Sequence, residues 1–541
     1  MTNQSTVNAR AIVEWLLDAG VTDVVIAPGS RSAPLSYAFA QAEAAGLVRV
    51  HVRIDERDAG FLALGISKSS SKPVPVVVTS GTAVANLLPA VIEGYYSGIE
   101  LVVVSADRPA RQRNRRSPQT IDQAKLFGKY ALAVDLAVDA DVPTELSRLV
   151  EQRNVPQPLH INAQFDVPLM PTSSDWTPQQ VTHSIQENVH LAATVHQEVP
   201  SRGLIIAGDM NDINAAREIG QLATSLGWPI IWEPTANVHA ADYAIAHGPL
   251  VLPHCPTPDC ILTIGALGLS RVTMAALRTT PQHIAIHLPS SGQELTDPTG
   301  TAKQVLHAVP SLTTTRDDSW LAMWQSAAQK AQDIVDAALS QKTLTGQRVA
   351  VEVWKHAKHD DQLFIAASWP VRHVEAYAPV REGLRTLGNR GANGIDGLIS
   401  TAWGTALTHA ARTYLLIGDI AFLHDAGGLN VSAADSRPNL TIVVSDNDGS
   451  GIFGQLEQGA PEFARHYERV FGTPHGKDLW VIAESYGIPA QRVTTADELA
   501  RALTQTDKIP GVHVIVCTVS NRQDEADLIK HIAQDVATAL Q

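Results

Sequence analysis

The sequence predicts an α/β protein of three open parallel-sheet domains, and three observations carry that reading. The chain has 541 residues, more than a single hydrophobic core accommodates. Short apolar runs alternate with longer helical patterns, the rhythm of strand, crossover helix and strand. Residues with chemical character gather just after the apolar runs, where open parallel sheets hold ligands.

In the first block, apolar spacing over residues 11–19 predicts a helix, and 24–27, 74–79 and 101–105 predict strands. Pro158-Leu159-His160-Ile161-Asn162 reads as the last strand of this block, and Pro171-Thr172-Ser173-Ser174-Asp175 opens a polar linker. The second block starts near Arg202, with strands over 203–207, 229–232, 261–264 and 283–287. An Ala/Gln-rich helix over 325–341 leads into the third block, with strands over 363–366, 414–417, 440–444 and 513–517. A helical pattern follows Gly394, and another over 524–540 closes the chain. The expected domains are 1–175, 185–335 and 345–541.

Composition narrows the function. With 45% hydrophobic and 18% charged residues the chain is an ordinary soluble globular sequence. A net charge of −14 argues against nucleic acid, whose phosphates want a basic surface. The three cysteines, Cys255, Cys260 and Cys517, make no disulfide framework and fit a reducing cytoplasm. His254-Cys255 with Cys260 lacks the second cluster that would complete a metal site, and Cys517 ends the apolar run Val514-Ile515-Val516-Cys517, a buried strand. The polar start Thr2-Asn3-Gln4-Ser5 runs straight into a helix, so no signal peptide is expected, and no apolar run reaches the length of a membrane span.

Gly418-Asp419 follows one predicted strand, and Asp446-Asn447-Asp448-Gly449 follows the next. An acid and an amide so placed can share one hard cation; oxygen ligands suit Mg²⁺, which completes its octahedron with water and phosphate oxygens. The plain alternative is that Asp419 caps a helix. Gly449 and Gly451 let backbone approach a ligand.

In the first block, His51-Val52-Arg53-Ile54-Asp55-Glu56-Arg57 precedes an apolar, glycine-containing stretch. A Glu56 carboxyl beside apolar residues has a raised pKa and can pass a proton to a nitrogen heterocycle; the alternative is a surface ion pair. Asp55, Arg53 and Arg57 are assigned to salt bridges. Arg31, Arg108, Arg372 and Arg390 stand near strand ends, where guanidinium forks can grip carboxylates; separate structural ion pairs are the alternative. Most of the arginines in the run 108–116 are read as solvated loop.

Together these stretches resemble a family. Ala27-Pro28-Gly29-Ser30-Arg31-Ser32-Ala33-Pro34-Leu35, Asp55-Glu56-Arg57, Thr79-Ser80-Gly81-Thr82-Ala83 and Ala106-Asp107-Arg108-Pro109 are similar to the first domain of thiamine-diphosphate enzymes. Within that group they resemble the menaquinone-pathway synthases acting on 2-oxoglutarate and isochorismate. Gly388-Asn389-Arg390-Gly391-Ala392-Asn393-Gly394-Ile395-Asp396-Gly397, Phe422-Leu423-His424-Asp425 and Gly451-Ile452-Phe453 extend the likeness, which is weakest in the middle block.

The resemblance implies pyrimidine-binding, central and diphosphate-binding domains. It implies thiamine diphosphate with Mg²⁺ or Mn²⁺ held by Asp419, Asn447 and the Gly449 carbonyl. Glu56 would bond the aminopyrimidine ring nitrogen. Further cofactor positions are Pro28, Thr82, Asn86, Gly418, Ile420, Ser450, Ile452 and Phe453. Catalytic roles fall to Glu56, Ser30, Arg31, Gln119, Arg271 and Arg390, and substrate contacts to Arg31, Arg108, Gln119, Arg271, Ser368, Arg372 and Arg390. The implied reaction is a decarboxylating carboligation: 2-oxoglutarate loses carbon dioxide and its remainder adds to the isochorismate ring in conjugate fashion. A homodimer or dimer of dimers with shared active sites is implied.

The chain departs from the pattern at Ile420, where many relatives have Gly, and at Asp446, where Asn is common; that acid either adds charge near the metal or points away. Ser270 replaces Lys of some relatives, and Ser117-Pro118 replaces a smaller pair before Gln119. An acetolactate-synthase-like enzyme is the nearest alternative, but its substrates carry one carboxylate each. A silent binding protein would not need Glu56, Asp419 and Asn447 together. A dinucleotide-dependent dehydrogenase would need a Gly-x-Gly-x-x-Gly after a first-block strand, which is missing.

Overall fold

The computed structural model describes residues 3–171, 176–179, 195–238 and 242–541. The linker expected from Pro171 onward lies largely outside them, at 172–175. Three all-parallel sheets answer to the three expected blocks. The first holds β1 (Asp23–Ile26), β2 (Arg49–Val52), β3 (Val74–Val78), β4 (Leu101–Asp107), β5 (Leu132–Leu136) and β6 (Leu159–Gln164), in the order β2-β1-β3-β4-β6-β5. Among the described residues β7 (His196–Glu198) pairs only with β13 (Ser311–Thr313). Between them in sequence run β8 (Gly203–Ala207), β9 (Ile230–Trp232), β10 (Cys260–Ile264), β11 (Gln282–Ile286) and β12 (Gln304–Leu306), ordered β12-β11-β10-β8-β9. The last sheet holds β14 (Gln362–Ile365), β15 (Arg385–Leu387), β16 (Thr413–Gly418), β17 (Leu440–Asp446), β18 (Ala490–Val493) and β19 (Val512–Thr518), ordered β15-β14-β16-β17-β19-β18.

The expected strands are all present, within a residue or two of their expected ends. Those that the pattern missed in the three large sheets (β2, β5, β12, β15 and β18) are short or edge elements. β5 alternates half-buried and exposed positions until Leu136, so no continuous apolar run announces it. Cys517 is buried in β19, as its apolar run required.

By contacts the described residues form two compact units. One comprises Met1–Val189, Gly391–Ala410 and Asp425–Pro438; the other comprises His190–Arg390, Ala411–His424 and Asn439–Gln541. In the first unit, Ile12, Leu16, Val24, Phe39 and Val104 are fully buried, each such side chain contributing about 1.5–3 kcal/mol. There the helix Glu56–Ser70 crosses the helix Leu398–Leu407 at two glycines. A Cβ on Gly65 would fall 2.1 Å from the Thr401 carbonyl oxygen, and one on Gly404 would fall 2.3 Å from that of Leu62. In the second unit, Trp324, Ala331 and Val335 of the helix Asp318–Leu339 pack with Leu204, Ile261, Ile532 and Val536. Among the described residues no helix is long and apolar enough to cross a membrane.

Strand order reverses between β1 and β3 in the first sheet and between β14 and β16 in the last. Ligands of open sheets sit beyond such switch points. The loops that leave them carry Pro28–Arg31 and Thr79–Thr82 in one unit, and Ser368 and Gly418-Asp419 in the other.

Candidate active site

Asp419 begins the helix Asp419–His424 directly after β16 and is 3% exposed. Its Oδ1 accepts the Ile420 N–H at 2.7 Å, so the capping alternative is half right. Its Oδ2 accepts the Gly449 N–H at 2.8 Å, which ties the end of β16 to the turn after β17. Asp448 (φ +58°) and Gly449 (φ +137°) make that turn; a Cβ on Gly449 would fall 2.3 Å from the Gly472 carbonyl oxygen. Asn447 donates to Glu525 Oε2 at 2.8 Å. Its own Oδ1 is buried with no hydrogen-bond partner, an oxygen left for a cation.

Asp446 points inward: Asp419, Asp446 and His475 each offer a ligand atom within 4.8 Å of the others. His475, which the sequence reading missed, places Nε2 3.3 Å from Asp419 Oδ2 and 3.4 Å from Asp446 Oδ1. The hydrogen bond to Asp419 raises its pKa against the opposing effect of burial. Burial, then the Asp419 charge, raises that of Asp446. Asp446, Asn447 and His475 line a cleft of ≈ 330 Å³ with Lys477 and Arg492, cations fit for phosphate oxygens. The orphaned amide oxygen beside buried carboxylate is the donor chemistry of a hard divalent ion. Ser450 donates its N–H to the Gly472 carbonyl at 2.8 Å, and Gly451 passes so near Trp369 that a Cβ would fall 2.2 Å from the indole. Ile420 and the turn Ile452–Gln455 follow these contacts, with Ile452 and Phe453 half-buried.

The same unit gathers Arg271, Arg372 and Arg390. Burial, then the Arg390 charge, lowers the pKa of Arg372, and Arg271 adds to the effect. Arg390 is 6% exposed, and its Nε has no hydrogen-bond partner. Ser368 (φ +73°) precedes the helix Trp369–Tyr377, and its carbonyl accepts Arg372 Nη1 at 2.9 Å. Two buried acids, both missed in the sequence, share this region. Glu233 Oε1 takes the N–H groups of Gly268 and Leu269 at 3.0 and 2.9 Å, just before Arg271. Burial raises the pKa of Glu233 against the pull of Arg390. Burial, then Glu233, raises that of Glu375.

In the first unit, Glu56 opens its helix, with Asp55 as N-cap accepting the Arg57 N–H at 2.9 Å. Asp55 thus serves backbone, whereas Arg53 does form the expected salt bridge, to Asp435 at 2.9 Å. Arg57 lies 3.7 Å from Asp58 and 3.9 Å from Asp425. Glu56 and Asn86 line a cleft of ≈ 400 Å³, with Asn86 Nδ2 3.5 Å from Glu56 Oε2. Pro28, Ser30 and Thr82 are exposed at the ends of β1 and β3.

Arg31 donates to the Phe165 carbonyl at 3.0 Å; burial, then Arg108, lowers its pKa. Arg108 is fixed by Thr120 Oγ1 at 2.7 Å and the Pro118 carbonyl at 2.8 Å. Gln119 has φ +54° and donates to the Ser80 carbonyl at 3.2 Å. Within the run 108–116, Arg113 is not solvated loop. It pairs with Asp107 at 2.8 Å and with Asp135 at 2.6 Å, because those two acids, on the ends of β4 and β5 either side of β6, need one cation between them. Arg111 pairs with Asp166, and Arg115 and Arg116 are exposed as expected.

Strand-end acids, a glutamate-led helix and paired switch points define a thiamine-diphosphate enzyme, and comparison agrees. Residues 7–126 match the family described as thiamine pyrophosphate enzyme, N-terminal TPP binding domain, and residues 371–517 match its C-terminal TPP binding domain. Among curated relatives, the 2-succinyl-5-enolpyruvyl-6-hydroxy-3-cyclohexene-1-carboxylate synthase of Thermobifida fusca (strain YX) is 39% identical, over 93% of this chain and 94% of its own. The protein of the same name from Nocardioides sp. (strain ATCC BAA-499 / JS614) is 38% identical over 97% of each chain, and that from Nocardia farcinica (strain IFM 10152) is 36% identical over 98% and 100%. The chain belongs to this synthase family.

Proposed function

We propose that this protein joins 2-oxoglutarate to isochorismate with loss of carbon dioxide, giving 2-succinyl-5-enolpyruvyl-6-hydroxy-3-cyclohexene-1-carboxylate for menaquinone biosynthesis. The carrying observation is the set Arg271, Arg372 and Arg390: burial, then the charges of Arg390 and Arg271, lower the proton affinity of Arg372, and the two acids nearby are biased toward neutrality by burial. Such surplus positive charge suits substrates with two carboxylates each.

Asp419, Asn447 and the Gly449 carbonyl would hold Mg²⁺, or Mn²⁺ in its place, with Lys477 and Arg492 near the diphosphate. Thiamine diphosphate, when bound, supplies the electron sink for decarboxylation and carbon–carbon bond formation. Glu56 would hold a proton at the aminopyrimidine ring nitrogen, and Ile452 and Phe453 would exclude water. Arg31, Arg108, Gln119 and Ser30 would orient one substrate, and Ser368, Arg372, Arg390 and Arg271 its carboxylates. The assigned domains are pyrimidine-binding at 1–175, central at 185–335 and diphosphate-binding at 345–541. A homodimer or dimer of dimers in the cytoplasm completes the proposal. Ile54, 72% exposed beside Glu56, supports a partner surface there, and three free cysteines suit a reducing compartment.

The test is incubation with 2-oxoglutarate, isochorismate, Mg²⁺ and thiamine diphosphate, with the product read by mass. The coupled product is expected; turnover of pyruvate in its place would assign the chain to the acetolactate-synthase-like alternative.

A further inference from the structure

We infer that Gln123 is a positioning residue that clamps the β4–β5 connection, which bears both Arg108 and Gln119, onto the turn after β3 and onto β6, and thereby sets substrate affinity. The inference rests on the substrate roles proposed above for those two residues.

Gln123 is 1% exposed and uses its amide fully. Oε1 accepts the Gly81 N–H at 2.9 Å; Nε2 donates to the Ala106 carbonyl at 3.0 Å and to Asn162 Oδ1 at 2.8 Å. Four segments meet there: the turn after β3, the end of β4, β6, and the β4–β5 connection that carries Gln119 and Gln123 itself. The turn after β3 touches Gln119 directly, because Ser80 Oγ donates to its carbonyl at 2.7 Å and a Cβ on Gly81 would fall 3.1 Å from its Cγ. Gln119 is thus held with φ +54°, a conformation that a non-glycine residue keeps only when its surroundings enforce it.

The same network reaches Arg108. Asn162 Nδ2 donates to Asp107 Oδ2 at 3.1 Å and to Asp135 Oδ1 at 2.8 Å, while Asp107 Oδ1 takes the Arg108 N–H at 2.6 Å. Arg113 closes the circuit, with Nε on the Arg108 carbonyl at 3.1 Å and its other nitrogens on Asp107 and Asp135. Gln123 itself touches no expected substrate position. It works by fixing, through Gly81 and Asn162, where Gln119 and Arg108 stand. A buried amide with three partners is costly to disturb, and misplacement by about 1 Å can cost on the order of a hundredfold in a positioned reaction.

The experiment uses the full chain with thiamine diphosphate and Mg²⁺. Gln123→Met keeps the volume and removes the three hydrogen bonds. Ser105→Ala is the control: Ser105 belongs to the same buried network, at 2.7 Å from His160 Nε2 and 2.8 Å from Asn162 Oδ1, but its side chain bonds neither the turn after β3 nor the β4–β5 connection. Steady-state constants for both substrates, the thermal midpoint, and amide exchange at residues 80–82 and 117–123 are measured. Gln123→Met is expected to raise KM for at least one substrate about tenfold with a smaller change in kcat, and to speed exchange in both segments. Ser105→Ala is expected to lower the midpoint with both KM values within about twofold. Unchanged KM and exchange in Gln123→Met, or an equal rise of KM in Ser105→Ala, would overturn the clamp. Should the wild type turn over neither substrate, the proposed reaction fails and the exchange comparison alone decides: faster exchange upholds the clamp, unchanged exchange overturns it. Should Gln123→Met not fold, Gln123→Asn, which keeps the amide but shortens its reach, decides by the same readouts: KM raised about threefold with faster exchange upholds the clamp, and both unchanged overturn it.

Discussion

Asn447 gives its side-chain N–H to Glu525 Oε2 at 2.8 Å, and that bond decides which end of the amide is left unpartnered for a cation, its Oδ1. Glu525 is fully buried, and its other oxygen takes the Gly346 N–H. Burial pushes its pKa up to about 7, with Asn447 pulling the other way. Glu525→Ala frees the amide to turn. It is expected to weaken Mg²⁺ affinity in the presence of thiamine diphosphate by about 10–100-fold, as loss of a group supporting a metal ligand commonly does. Asp419→Ala is expected to abolish Mg²⁺-dependent cofactor binding. Calorimetric titration checks both, and normal affinity in Asp419→Ala would reject the site.

Glu56→Gln keeps the shape of the side chain and removes its proton-exchanging function. Cofactor binding is expected to survive while turnover falls by about 10²–10⁴-fold, the range of a lost acid–base group. Unimpaired product formation in a single-turnover assay would remove Glu56 from its role.

Arg390→Ala and Arg108→Ala each delete a fork expected to meet a carboxylate. Charge-assisted hydrogen bonds contribute about 1.5–3 kcal/mol, so substrate KM is expected to rise by roughly ten- to a hundredfold. Cofactor affinity should move far less, and an equal loss of both in the same titrations would make the arginines structural.

Gly65→Ala or Gly404→Ala would push a methyl group into a backbone carbonyl at 2.1 or 2.3 Å. Overpacking of this kind costs about 1–3 kcal/mol, visible as a lower denaturant midpoint at unchanged slope. Turnover should fall as well, since the helix that shifts begins with Glu56.

Asp58 and Asp425 are both buried carboxyls, with Arg57 beside them and Asp425 Oδ2 accepting the Ser400 N–H at 2.9 Å. Burial first, then the neighbouring acid, raises Asp425 to about 8; burial, then Asp55, raises Asp58 to about 6. Folded values above the unfolded one mean that the native state holds protons the unfolded chain has released. This contribution is therefore complete below about pH 4 and is lost as pH rises to about 8. Asp425→Asn should flatten the decline, gaining thermal midpoint relative to wild type at pH 8.5 and not at pH 5. A parallel decline in both proteins would assign the pH dependence to other groups.

Central strands were legible because burial on both faces demands unbroken apolar runs, as in Val74–Val78. Edge strands such as β5 and β18 escaped because one side faces solvent. The carboxylate of Asp419 and the amide of Asn447 were legible because strand ends fix their place. His475, Glu233 and Gln123 were not: each reaches its partners by a long loop or across a sheet, and nothing near them in sequence announces the contact. Arg113 was misread for the same reason, its partners lying on β4 and β5. Glu56 was found by the family pattern rather than by its surroundings.

Gly391–Ala410 and Asp425–Pro438 cluster with the N-terminal sheet although they are encoded among the strands of the last one. The two glycines at the helix crossing are thus more than half the gene apart, yet each leaves room for the other's backbone. A recombinant joining the front of one homologue to the back of another would inherit the two sides of that crossing from different parents. The ends of this gene must therefore diverge in step, and shuffling among relatives is safest where both sides come from the same lineage.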